Sequence, residues 1–186
     1  MNAAWIFGGG CLLGAALSAG SLLLPRALHH LGGATLPASG GASIHTHETF
    51  EFLAHAPWEA TAPLFGADRE RVWAPDWNPA FLWPQPATDQ AGMVFTVPHA
   101  DRTAVWVNTG YDPAAGRFEY VYVLPEVVAT VIGVQLSRAG DATKVQVRYE
   151  RTALSAQANE IVQGMARRDA QAGPEWEHQI NAYLAR

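Results

Sequence analysis

The fold is decided by one stretch of the chain, Thr143-Lys144-Val145-Gln146-Val147-Arg148-Tyr149-Glu150-Arg151-Thr152. Its apolar side chains Val145, Val147 and Tyr149 alternate with polar ones, which is the period of a β-strand. One face of such a strand meets water, and the other face has to be covered by another element of the chain.

The covering element follows directly, because apolar residues recur at helical spacing from residue 158 to the end of the chain. These residues are Ala158, Ile161, Val162, Met165, Ala172, Trp176, Ile180, Tyr183 and Leu184. Gly173 and Pro174 interrupt the pattern. We therefore expect a kink there, or a second helix start with Pro174 in its first turn.

Upstream of this stretch, β-branched and aromatic residues predict strands at 92–98, 102–111, 117–124 and 127–137. Their short connections favour consecutive antiparallel pairing. An earlier strand is predicted at 45–53, with Phe50 and Phe52 buried on one face and His47 and Glu51 on the other. Prolines recur between residues 57 and 86, so only turns and short helices fit that region, one of them at 58–62.

In this order, the elements predict an α+β helix-grip fold. A curved antiparallel sheet wraps a long C-terminal helix, and short helices follow the first strand. The segments at 64–79, which includes Trp73-Ala74-Pro75-Asp76-Trp77, at 92–95 and at 149–155 resemble the SRPBCC superfamily. This superfamily includes START-like lipid carriers, the birch-pollen allergen group, and polyketide cyclases and dehydratases. The resemblance spans residues 45–184 and implies the fold more than a function, because carriers, cyclases, hydrolases and chaperone regulators share the scaffold.

The charge of the chain excludes some functions. Only one of the 12 basic residues, Arg26, precedes Ile44, so 11 basic and all 17 acidic residues follow it and the folded part is acidic. Binding to nucleic acid needs clustered Lys or Arg, so no nucleic-acid partner is expected. Cys11 is the only cysteine, which excludes an intramolecular disulfide and a zinc site built from paired cysteines.

Residues 3–24 form an uncharged, largely apolar run that is long enough to cross a bilayer. Three interpretations remain open: a signal peptide, an uncleaved anchor, or translated upstream sequence from a start codon placed too early. The first two imply a secreted, periplasmic or membrane-anchored protein with membrane contact through residues 3–24, and the third implies a cytoplasmic one. Residues 36–43 are typical of a flexible linker. We expect residues 1–43 to be an appendage and residues 44–186 to be the domain.

A sheet curved around a helix leaves a largely apolar volume on its concave side, which predicts a hydrophobic or aromatic small-molecule ligand and no cofactor. Eight residues are candidates for the ligand site: Trp73, Trp77, Trp106, Asn108, Tyr120, Tyr122, Tyr149 and Met165. The alternative is that each is an ordinary core residue. The prolines beside Trp73 and Trp77 are expected to hold that segment extended, as a rigid aromatic lid or as a plug at one end of the sheet.

No nucleophile elbow, phosphate-binding loop or dinucleotide fingerprint is present in the sequence. Any catalysis is therefore expected to be acid–base chemistry by His47, Glu51 or Tyr149. Glu70 is expected in a short helix, where it caps the helix or pairs locally with Arg69 or Arg71; the alternative is that it acts as a catalytic acid. The histidines form no compact cluster with acidic residues, so no metal site is predicted.

Three functions stay open at this point. A carrier of hydrophobic ligands predicts an apolar cavity, whereas a polyketide-cyclase-like enzyme, which the resemblance implies, predicts titratable groups that converge inside it. A partner-binding module like the chaperone-regulating branch predicts a filled interior and an exposed apolar patch. The sequence does not determine the ligand or the oligomeric state.

Overall fold

The computed structural model describes residues 41–186, which build one curved antiparallel sheet of seven strands with helices packed on its concave side. The strands are β1 (His45–Ala54), β2 (Ala80–Trp83), β3 (Val94–His99), β4 (Arg102–Asp112), β5 (Arg117–Leu124), β6 (Val128–Ala139) and β7 (Ala142–Ala153). Their order across the sheet is β1-β7-β6-β5-β4-β3-β2. The predicted meander from β3 to β7 is confirmed, and β1 returns to pair with β7.

The short strand β2 was not predicted. It lies at the sheet edge beside β3, within the proline-rich region that the sequence assigns to turns. An edge strand tolerates nearby prolines, because its outer side has no hydrogen-bonding strand beside it.

The helices are α1 (Trp58–Thr61), α2 (Asn159–Asp169) and α3 (Gly173–Leu184), with short 3-10 helices at Ala62–Leu64, Arg69–Val72 and Ala156–Ala158. The C-terminal helix is thus divided at the predicted interruption, and Pro174 stands in the first turn of α3. Proline is favoured there because the first turn of a helix needs no backbone N–H from it.

The two C-terminal helices cover the concave side of the sheet. Trp176 of α3 is 1% exposed, and its ring centroid lies 5.6 Å from that of Phe50 and 5.5 Å from that of Trp73. On β7, Val145 and Val147 are fully buried and Tyr149 is nearly so, as the alternation predicts. Arg151 continues the same phase and is also buried.

The expectation of an extended segment around the two tryptophans is wrong. The backbone N–H of Ala74 donates to the carbonyl of Glu70 at 2.8 Å, and that of Trp77 donates to the carbonyl of Ala74 at 3.3 Å. Asp76 takes a left-handed conformation with φ of 67°. The segment therefore turns instead of running extended, and proline spacing alone does not determine the path of the chain.

The predicted apolar segment at 3–24, and with it the choice among signal, anchor and upstream sequence, lies outside the described residues. Within 41–186, no helix has both the length and the apolar character needed to cross a membrane. The first described residues lie against the start of α2, where Asn159 accepts a hydrogen bond from Ile44 N–H and donates one to the carbonyl of Ala42.

Candidate functional site

The eight residues predicted to contact a ligand are all buried in the hydrophobic interior or beside it. The structure brings the aromatic ones among them into direct contact. Trp106 of β4 stacks on Tyr122 of β5 with ring centroids 4.3 Å apart, and the ring of Trp77 meets that of Trp106 edge-on at 5.5 Å. The concave side is therefore lined by aromatic rings, while the role of these residues in ligand binding stays a prediction.

Trp73 and Trp77 are fixed by their indole N–H groups as well as by packing. Trp73 Nε1 donates to the carbonyl of Leu64 at 2.8 Å, and Trp77 Nε1 donates to that of Ala67 at 2.7 Å. A buried indole that satisfies its donor in this way is held in one orientation. This geometry is that of a plug more than that of a mobile lid.

Two of the three catalytic candidates lie on the outer face. Glu51 is exposed and pairs with Lys144 Nζ at 2.6 Å, and exposed His47 lies 3.8 Å from a carboxylate oxygen of Glu150. A catalytic role on the concave side does not fit His47 or Glu51, because the alternation of β1 points them away from Phe50 and Phe52. Tyr149 lies inside, and burial raises the pKa of its hydroxyl well above the usual value.

Glu70 differs most from its sequence-based prediction, in its burial and in its hydrogen-bond partners. It lies in the 3-10 helix Arg69–Val72 as expected, but it is 1% exposed and its hydrogen bonds do not involve Arg69 or Arg71. Instead, its Oε1 accepts hydrogen bonds from the hydroxyl of Tyr120 at 2.9 Å and from the backbone N–H of Gly66 at 3.3 Å. Among the described residues, Oε2 of Glu70 has no hydrogen-bond partner.

Burial raises the pKa of Glu70 from 4.5 to about 8, although the hydrogen bonds from Tyr120 and Gly66 act in the opposite direction. The negative charge of nearby Asp89 raises the pKa further. The carboxyl group is therefore largely protonated at neutral pH. Since Oε1 already accepts two hydrogen bonds, the proton resides on Oε2, which becomes a buried hydrogen-bond donor.

Asn108 is linked to this carboxylic acid through Tyr120, which pairs with Asn108 across β4 and β5 and donates to Glu70. The pairing of these strands shifts register between Asn108 and Gly110, so a β-bulge follows immediately. Asn108 is 1% exposed, and its side-chain nitrogen donates to the thioether sulfur of Met93 at 3.7 Å. Its Oδ1 has no partner within residues 41–186. We call Glu70, Tyr120 and Asn108 the acid cluster.

A second buried group, the arginine cluster, consists of Arg151, Asp169, Tyr122 and Thr130. Arg151 of β7 forms a two-pronged ion pair with Asp169 of α2, at 2.6 Å and 2.8 Å. Its remaining guanidinium nitrogen donates to the hydroxyls of Tyr122 and Thr130. The charges in this cluster are satisfied by each other, which is the arrangement that a buried ion pair requires. It ties α2 to the sheet.

His99 lies at the border of the arginine cluster. Its ring stacks on that of Tyr122 with centroids 6.2 Å apart, and its buried Nε2 has no partner among the described residues. Burial lowers the pKa of this imidazole, and the charge of Arg151 lowers it further. The ring is therefore neutral at physiological pH, and the arginine cluster carries no second positive charge.

The sequence contained a signal for the arginine cluster. Arg151 follows Tyr149 in the buried phase of β7, and Asp169 follows Met165 by four positions on the apolar face of α2. A charge at such a position has to be paired or lost. Glu70 gave no comparable signal, because its burial depends on a non-repetitive loop that folds over the end of the sheet.

Comparisons with known proteins agree on the fold. Neither a protein-family model nor a curated protein matches the sequence. Norcoclaurine synthase from Thalictrum flavum superimposes with a TM-score of 0.59 at 10% identity, over 78% of this chain and 96% of the synthase. The Zhui aromatase/cyclase from Streptomyces sp. R1128 gives 0.55 at 15% identity, over 77% and 95%. Ara h 8.0201 gives 0.52 at 12% identity, over 76% and 99%. All three have a helix-grip fold, and so has this chain.

Proposed function

We propose that the protein binds a hydrophobic or aromatic small molecule on the concave side of its sheet. One observation carries this proposal: the acid cluster holds two buried polar atoms, Oε2 of Glu70 and Oδ1 of Asn108, without a partner among the described residues. Leaving a buried polar atom unpaired costs about 1 to 3 kcal/mol. A ligand with an apolar body and a polar edge would remove that cost.

The fold comparison supports the same class of ligand. A structure of the Thalictrum flavum synthase contains dopamine and hydroxybenzaldehyde, two small aromatic molecules, and this chain matches it with a TM-score of 0.57 at 11% identity over 87% of this chain and 97% of the synthase. The aromatic rings of Trp106, Tyr120 and Tyr122 provide stacking partners for such a molecule in this protein.

Native mass spectrometry of the full chain tests the proposal. We expect a mass excess that is released on denaturation and identified as an aromatic or other hydrophobic compound. Titration of the purified protein with 2-ethylnaphthalene, followed by tryptophan fluorescence, is the second measurement, because four tryptophans lie in the interior. A protein that carries no ligand and does not respond to the titration would contradict the proposal.

The acid cluster also favours an enzymatic alternative, a cyclase- or dehydratase-like reaction by acid–base catalysis. A buried carboxylic acid with a pKa of about 8 exchanges a proton readily near neutral pH, and Tyr120 holds it in place. To test this, the ligand released from the protein is incubated with fresh protein, and its mass is followed for loss of water or for rearrangement. The Glu70→Gln variant is expected to bind the ligand without converting it, whereas equal conversion by both proteins would contradict this alternative.

A further inference from the structure

The two unpartnered polar atoms of the acid cluster differ in what they offer to a ligand. Protonated Glu70 offers a donor at Oε2, because Tyr120 and Gly66 already occupy the lone pairs of Oε1. Asn108 offers an acceptor at Oδ1, because its nitrogen faces the sulfur of Met93. Both side chains are 1% exposed, so water competes weakly for either atom.

The arginine cluster does not compete with the acid cluster as a recognition site. Its guanidinium group is bound on two sides by Asp169 and on the third by Tyr122 and Thr130. To bind Arg151, a negatively charged group of a ligand would have to displace Asp169 or the hydroxyls of Tyr122 and Thr130. The geometry therefore disfavours binding of an anionic ligand by Arg151.

From this contrast we infer that the ligand is an oxygenated, uncharged ring compound: it accepts a hydrogen bond from Glu70 Oε2 through a carbonyl or hydroxyl oxygen, and donates one to Asn108 Oδ1 through an O–H group. This inference rests on the proposed binding function and specifies its ligand. A carboxylate or phosphate is disfavoured, because such a group would lie beside the carboxyl groups of Glu70 and Asp89 with no free cation among the side chains of the acid cluster.

The hydrogen bond from Glu70 Oε2 to an oxygen of the ligand is tested with two probes of matched shape, 2-acetylnaphthalene and 2-ethylnaphthalene, and the full-length protein. Only the first has an acceptor oxygen. At pH 6, we expect the wild-type protein to bind the ketone about ten-fold more tightly than the hydrocarbon, since a buried hydrogen bond of ordinary strength gives a preference of that size. At pH 9.5, deprotonated Glu70 cannot donate, and the preference should disappear.

The Glu70→Gln variant provides the matched control. Its amide oxygen can accept from Tyr120 and Gly66 while its nitrogen donates from the position of Oε2, and it does not titrate. We expect this variant to prefer the ketone equally at pH 6 and pH 9.5. A Glu51→Gln variant, altered on the outer face, should behave like the wild-type protein.

The hydrogen bond from an O–H group of the ligand to Asn108 Oδ1 is tested by comparing 2-naphthol with 2-methoxynaphthalene, which lacks the donor. We expect the Asn108→Leu variant to lose the wild-type preference for 2-naphthol at pH 6, where this phenol is uncharged, while it still binds 2-ethylnaphthalene. If the variant keeps the preference for 2-naphthol, the inferred role of Asn108 as a hydrogen-bond acceptor is overturned.

The outcomes separate this inference from the proposed function. If 2-acetylnaphthalene and 2-ethylnaphthalene bind with equal affinity at pH 6, the inferred role of Glu70 is overturned while ligand binding stands. If the preference in the wild-type protein is the same at both pH values, a neutral Glu70 is not the donor and the inference fails. If neither probe binds at all, the proposed function itself fails.

Discussion

Breaking the arginine cluster on one side should destabilise the fold strongly. Asp169→Asn preserves the shape of the side chain but removes the negative charge that accepts two hydrogen bonds from Arg151, at 2.6 Å and 2.8 Å. The side chains of Arg151 and Asp169 are only 7% and 11% exposed, so water cannot replace the lost partner. Removal of one member of a buried ion pair typically costs about 3 to 5 kcal/mol, which is a large share of the roughly 5 to 15 kcal/mol that stabilises a domain.

Urea unfolding followed by circular dichroism measures this loss. A loss of this size lowers the midpoint by about 2 M urea, because domains of this length lose roughly 1 to 3 kcal/mol per molar urea. Glu59→Gln is the matched control, since Glu59 also pairs with an arginine, Arg138, at 2.8 Å, but on the surface. Its midpoint should match that of the wild-type protein.

The double variant Arg151→Met/Asp169→Leu keeps the experiment informative if Asp169→Asn does not fold. It replaces both charges with apolar groups and leaves no unpaired charge, so it should be more stable than Asp169→Asn, although the hydroxyls of Tyr122 and Thr130 lose a partner. A loss below about 1 kcal/mol in Asp169→Asn would refute the view that the arginine cluster holds α2 to the sheet.

Three further predictions concern the interior. Trp176→Ala should lower the free energy of unfolding by about 3 to 5 kcal/mol in urea titrations, as truncation of a buried aromatic residue does; a loss under about 1 kcal/mol would contradict the packing of α3. Trp77→Ala should lower the free energy of unfolding by more than it weakens the free energy of binding 2-ethylnaphthalene. The reverse ranking, measured by unfolding and fluorescence titrations of the same variant, would identify Trp77 as part of a lid. Glu70 has a pKa of about 8 in the folded protein and 4.5 ordinarily, so its contribution to stability is full below pH 4.5 and is lost as the pH rises to 8. Between pH 4.5 and pH 8, the free energy of unfolding of the wild-type protein should therefore fall by up to roughly 5 kcal/mol relative to that of Glu70→Gln. If the free energies of unfolding of the two proteins instead change with pH in parallel, the pKa of Glu70 is not raised.

The strands and the C-terminal helices were predictable because their signal repeats along the chain. Each inner-facing residue of β7 is followed two positions later by another, and Ala158, Val162 and Met165 recur at helical spacing before and along α2. Periodicity of this kind indicates which face of a strand or helix is buried. The sheet and the helices bury these apolar faces against each other. Edge strand β2, with four residues, is too short for any period to stand out.

The candidate site was predictable only in part. The aromatic residues Trp106, Tyr120 and Tyr122 were placed correctly on the inner face, because strand alternation determines the face. The choice of His47 and Glu51 as catalytic candidates rested on residue type, and alternation in β1 itself places them on the outer side.

Apart from β2, the sequence by itself determined the architecture, since apolar periodicity and short turns permit few arrangements of one sheet and its C-terminal helices. Only the tertiary structure decided which polar groups are buried together. Tyr120 and Glu70 are 50 residues apart, and no local pattern links them. The loop that carries Glu70 has no repeating pattern of its own, so its path depends on where Trp73 and Trp77 find space and hydrogen-bond acceptors beneath it. The ionisation of Glu70 follows from that burial, because the free energy of a charge depends on all the atoms around it and not on its neighbours along the chain.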